Sequence, residues 1–291
     1  VRNSSLTPPH IRNNPDAQSS HFVREVEEQE IFPNRQTAQG LPTTVPVLNV
    51  AYYPTERGPY NYDVDGALAD GSLSHPEKRW GGMMRALPLT DFEGSNIEYI
   101  EFWLMDPFVE GATGGGDLYF NLGNISEDIL RDGRKSFENG LPGNGGSEGV
   151  ETTVWGRVPT VQSSVMAFDN NQATRARQDV GLDGLSDELE RSFHADFVQR
   201  TEVKFGADSE AARLARQDPS SDDYRYFRST AWDEQATGIL DRYKYFNNTD
   251  GNSPTPEQSK ESYPTLATTL PDVEDLNRDN TLSDNESYYQ Y

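Results

Sequence analysis

Between residues 81 and 160 the chain alternates short β-branched or aromatic runs with glycine-rich breaks. Residues 97–105 (IEYIEFWLM) combine aromatic and β-branched side chains with partial alternation, which predicts a central strand. Residues 117–123 (DLYFNLG), reached through Gly114, Gly115 and Gly116, predict a second strand, and residues 152–158 a third. Short strands parted by glycine turns predict an antiparallel β-sandwich or jelly roll. Beyond them the period changes. Leu185, Leu189, Phe193 and Phe197 recur every four residues, which predicts a helix over 184–199 with one apolar stripe. Shorter helices are predicted over 209–217 and 231–246.

These patterns divide the chain into four parts. Residues 1–45 read as an extended arm or linker, 46–160 as the β-sandwich region, and 161–250 as a helical insertion with an acidic loop. Residues 251–291 read as loop, a calcium-type loop and a final strand that completes the β region. The expected class is therefore mainly β with helical insertions (α+β). Only 34% of residues are hydrophobic, and 24 glycines and 18 prolines favour long loops. An aromatic content of 11% argues against disorder along the whole length.

Charge narrows the partners. Forty-eight acidic against 25 basic residues give a net charge of −23, which repels nucleic-acid phosphates and anionic membranes and attracts divalent cations. No cysteine is present, so thiolate metal sites, disulfides and cysteine nucleophiles are excluded. No apolar run approaches the roughly 18–20 residues of a membrane-spanning helix. Val1 opens in polar sequence without signal-peptide character, and Ser287 to Tyr291 read like a strand just starting. Both ends look cut, so a fragment is expected.

Two acidic twelve-residue stretches have the spacing of calcium loops. Calcium takes six to eight oxygens, which one such loop can deliver. In DLNRDNTLSDNE, residues 275–286, Asp275, Asn277 and Asp279 hold the first, third and fifth positions. Thr281 offers its carbonyl at the seventh, Ser283 stands at the ninth, and Glu286 closes the shell at the twelfth; Asn280 replaces the usual turn glycine. In DVGLDGLSDELE, residues 179–190, the candidates are Asp179, Asp183, the Leu185 carbonyl, Asp187 and Glu190, with Gly184 at the tight turn. There Gly181 stands where a side-chain ligand is usual, and helix capping by Ser186 with an acidic first turn explains the same residues. Calcium is the expected cofactor, first at 275–286 and second at 179–190.

Catalytic signatures are lacking. His10, His21, His75 and His194 are scattered, and neither GxSxG, HExxH nor a phosphate-binding P-loop occurs. A non-enzymatic role is expected. Tyr52, Tyr53, Tyr60, Tyr62, Trp80 and Trp155 offer a glycan-stacking surface, but the same rings serve packing equally well. Trp80 and Trp155 are thus the ligand-binding candidates of an alternative reading, a calcium-stabilised carbohydrate-binding or adhesin module at the cell surface.

Longer strings are more specific. RWGGMMRALPLTDFEGSNIEYIEFWLMDPF (79–108), GDLYFNLGNISEDILRDGRKSFENGLP (116–142), AYYPTERGPYNYD (51–63), VWGRVP (154–159) and AFDNNQATRARQDVGLDGLSDELE (167–190) resemble the SprA/Sov family. So do YKYFNNTDGNSP (243–254) and LPDVEDLNRDNTLSDNESYYQY (270–291). The likeness is weakest over 191–230 and does not reach 1–45. That family comprises the outer-membrane translocons of the Bacteroidetes type IX secretion system, which also supports gliding motility. The resemblance implies a very large β-barrel that passes folded cargo, a porin-like partner and a plug protein. This chain has too few long alternating strands to be the barrel. It would be a soluble cap or periplasmic insertion, in contact with the rest of the barrel and with secreted cargo, at the cell surface or in the periplasm. The resemblance implies no catalytic residue.

Overall fold

The computed structural model describes residues 9–290 apart from 23, 37–42, 46, 49, 86, 88–90, 110–114, 124–127, 136, 163–166, 224–229, 239, 244–268, 272–273, 276–280 and 283–287. Short helices α1 (Pro9–Arg12), α2 (Pro15–Ser19) and α3 (Glu28–Ile31) come first, followed by a 3₁₀ turn at Pro76–Lys78 and strand β1 (Met83–Arg85). Strands β2 (Val150–Thr152) and β3 (Arg157–Pro159) precede α4 (Gln172–Arg175), α5 (Asp187–Phe193), α6 (Ala195–Phe205), α7 (Glu210–Gln217) and α8 (Thr230–Glu234). A 3₁₀ turn at Asp241–Tyr243 and strand β4 (Tyr288–Gln290) complete the described elements.

The mainly-β sandwich or jelly roll is overturned. Among the described residues there are two separate two-stranded antiparallel sheets, each of three-residue strands: β1 with β4, Met83 facing Gln290, and β2 with β3, Val150 facing Pro159. The third expected strand, 152–158, is instead a hairpin bend. The two segments richest in strand formers join no ladder among the described residues, with Tyr99 and Tyr119 77% or more exposed and Trp103 70% exposed. The Phe102 and Phe120 rings approach to 4.8 Å, so the segments run near each other without exchanging backbone bonds. Strand propensity describes fit to a half-buried pleated surface; without a neighbouring edge it does not build a sheet.

Order comes instead from helices and cross-linked loops. Ser209 caps α7 by accepting from the Ala212 N–H at 3.2 Å, and Glu210 and Arg216 occupy the dipole-favoured ends. Buried Ala211, Ala212 and Ala215 let α7 lie close against α6, whose Phe197 packs with Val64, Tyr62 and Val198. The helix expected over 184–199 breaks in two at His194 (φ −97°, ψ 27°), which ends α5 and opens α6. The apolar stripe splits with it: Leu185 and Phe197 are buried, but Leu189 is 51% exposed. On α5 the buried position is Glu190.

A second knot joins the chain's end to its middle. Phe168 and Leu270 are fully buried, and the Phe168 N–H donates to the Thr269 carbonyl at 2.7 Å. Next to them buried Glu274 accepts from the Glu138 N–H at 2.7 Å, from Gln162 Nε2 at 2.8 Å and from Asn139 Nδ2.

Candidate metal centre

The loop before α5, the inner face of α5 and the turn after α7 meet at one point. The loop is set by β3, where the Arg157 N–H donates to the Asp183 carbonyl at 2.7 Å. Gly184 turns with φ +69°, where an added Cβ would strike the Arg157 carbonyl oxygen. Asp183 then folds back on its own loop, Oδ1 accepting from the Leu185 N–H at 2.8 Å. One turn along α5, Glu190 faces inward with no exposed surface. From the other side comes Asp218–Asp223, where Asp218 caps the turn by accepting from the Ser221 N–H at 2.6 Å. Asp222 Oδ2 accepts from the Asp183 N–H at 2.8 Å, and Glu190 Oε2 from the Ser220 N–H at 3.0 Å.

Asp183, Glu190 and Asp222 each bring a carboxylate oxygen within 4.8 Å of the other two, and all three side chains are buried. Asp183 Oδ2 also accepts from Ser220 Oγ at 2.5 Å and lies 3.3 Å from His194 Nε2. His194 stacks on Tyr62 at 4.5 Å between centroids, and Tyr62 in turn stacks on Trp155. Two oxygens are left over: Glu190 Oε1 and Asp222 Oδ1 are buried without a hydrogen-bond partner. Gly181 (φ +98°) approaches so closely that a Cβ there would lie 2.6 Å from Asp222 Oδ1.

The electrostatics are lopsided. Burial first, then the like charges of Asp183 and Asp218, pushes Glu190 up to about 8. Burial, Asp218 and Asp187 push Asp223 up to about 9, and burial with Asp183 and Glu190 raises Asp222 well above the carboxylate range. Asp218 is raised by burial, while Arg57 pulls the other way. Arg57 is a permanent cation facing this group, and it donates to the Asp218 and Pro219 carbonyls at 2.8 and 2.6 Å.

Of the sequence candidates, Asp183 and Glu190 meet here, and Gly184 makes its expected turn. Asp179 and Asp187 do not join the three-oxygen group; Asp187 instead lies at its edge, where it helps raise the Asp223 carboxyl. Leu185 contributes a buried side chain and its N–H. Asp222 was missed, since DPSSDD reads as a solvated turn until folding buries it. In the other loop Asn277, Asp279, Ser283 and Glu286 lie outside the described residues; Asp275 is buried and Thr281 exposed. Trp155 is committed to packing, with Nε1 donating to the Leu130 carbonyl at 3.0 Å, and Trp80 is 72% exposed.

Fold and site together define a loop-built domain centred on buried carboxylates, with no described helix long and apolar enough to cross a membrane. Residues 196–291 match the family SprA_N, described as motility related/secretion protein. The match begins in α6 and takes in Asp218–Asp223 and the final third of the chain. It covers most of the stretch where the quoted strings are least alike. No curated protein matches the chain.

Proposed function

We propose that the chain is a non-catalytic segment of an outer-membrane protein-export translocon, a cap or periplasmic insertion that supports secretion and gliding motility. The family match gives the motility and secretion context. The observation that carries the finer reading is the apolar surface left uncovered: Ile100, Phe102, Trp103, Leu104, Leu118 and Phe120 are all more than half exposed. A protein that works alone rarely exposes so many large apolar side chains on two neighbouring segments. The remainder of the same translocon polypeptide is the partner that covers this surface, pairing with these segments as strands pair at a sheet edge.

A non-catalytic role is supported by a cluster among the described residues that resembles a catalytic constellation. Ser220, His194, Asp183 and Tyr62 are hydrogen-bonded, but Ser220 is 1% and Asp183 3% exposed, so no substrate reaches them. Their bonding reads as a satisfied polar core. The test is made in the full-length translocon, with Tyr99, Trp103 and Tyr119 changed together to serine. Export of cargo should fall sharply while the isolated 291-residue chain melts as before. Unchanged export would contradict the proposal, and so would turnover by the isolated chain in glycosidase or peptidase screens.

A further inference from the structure

We propose that Asp183, Glu190 and Asp222 bind one calcium ion, which staples the 181–190 loop and α5 to the turn after α7. Geometry argues first. Calcium–oxygen bonds of about 2.3–2.6 Å set ligands up to about 5 Å apart across the ion, and the three carboxylate oxygens fall within 4.8 Å of one another. Hydrogen bonding argues second and independently. Glu190 Oε1 and Asp222 Oδ1 have no partner, and their residues are 0% and 2% exposed. The other carboxylate oxygen of each side chain accepts from a backbone N–H, which anchors both carboxyl groups in place. A buried carboxyl oxygen without a hydrogen-bond partner costs free energy that an ion coordinated there would recover.

Charge argues third. Asp183, Asp187, Glu190, Asp218, Asp222 and Asp223 lie close enough to act on one another, and among the described residues the Arg57 guanidinium and the His194 ring face them. Tyr60 and Tyr62 add dipoles but no positive charge. A divalent ion offsets the negative charge that the single guanidinium leaves uncompensated. The donors are all hard oxygens and no cysteine exists, which selects calcium or magnesium over zinc or copper. Calcium is favoured because its larger, flexible shell accepts carboxylates anchored on separate segments, whereas magnesium demands near-octahedral order. The inference stands apart from the translocon reading, since it concerns the isolated chain.

The test uses the whole 291-residue chain, stripped with EDTA and titrated with CaCl₂ by calorimetry and thermal melting. Calcium at a hundredfold excess over Kd should raise Tm by about 5 °C or more, and magnesium should raise it less. Glu190→Gln and Asp222→Asn should each remove that rise. Terbium luminescence sensitised by Tyr60 and Tyr62, displaced by calcium, reads the wild-type site even where a variant fails to fold. Three results would overturn the proposal: no calcium heat and no Tm change at millimolar calcium; no displaceable terbium signal; or calcium binding that survives both variants and is lost in Asp279→Asn, which would assign the ion to residues 275–286.

Discussion

Asp222 shows how a single residue can be illegible in sequence and decisive in the fold. Twelve-residue spacing points to Asp183 and Glu190 because both stand on one loop and the first turn of one helix. Asp222 stands 32 residues after Glu190, and only the packing of α6 against α7 brings it alongside. Glu274 makes the same point in the second knot. Its two oxygens receive the Glu138 N–H, Gln162 Nε2 and Asn139 Nδ2, all donors, so the site is shaped for a carboxyl group with free lone pairs. Glu274→Gln puts an amide N–H₂ against those donors and should cost about 1–3 kcal/mol. Urea unfolding measures this directly; an unchanged midpoint would mean that the three donors find other acceptors.

At the scale of elements, helices were legible where capping and periodicity agree and misread where burial of polar groups overrides them. Residues 209–217 carry a serine cap, an acid in the first turn and a basic last turn, and α7 forms over Glu210–Gln217. Residues 184–199 carry an apolar stripe, yet the chain breaks at His194 so that the ring reaches Tyr62 and Asp183 at 3.1 and 3.3 Å. The carboxylate cluster sets the helix phase, and Leu189 is turned outward. Strands were misread for a different reason: composition reports a liking for sheets, and the neighbouring edges that would satisfy it are missing among the described residues. The β3-to-loop contact carries its own prediction. Gly184→Ala imposes a left-handed backbone on a residue with a Cβ and drives that atom into the Arg157 carbonyl, which should destabilise the chain by about 1–3 kcal/mol or more. Thermal or urea melts should register it, and alanine tolerated without loss would mean the 181–190 loop can rearrange.

For the whole molecule, a net charge of −23 and, among the described residues, a core of few large apolar side chains leave stability resting on cross-links between distant segments. Arg57 ties residues 57–62 to Asp218 and Pro219, the carboxylate cluster ties 183–190 to 220–222, and Glu274 ties the chain's end to 138–162. The family-matched residues 196–291 therefore lean on what precedes them, and expressed alone they should show little cooperative melting by circular dichroism. A sharp transition equal to that of the whole chain would refute this dependence. Exposed Tyr99, Trp103 and Tyr119 contribute little to this network, so their replacement by serine should alter the isolated chain's stability by no more than about 0.5 kcal/mol. Calcium occupancy is the claim on which the account of stability rests, and diffraction from crystals grown in calcium reads it most directly. The account predicts an anomalous peak bound at about 2.3–2.6 Å by oxygens of Asp183, Glu190 and Asp222. Featureless density there, with the carboxyl groups of Glu190 and Asp222 hydrogen-bonded to each other through a shared proton, would contradict it.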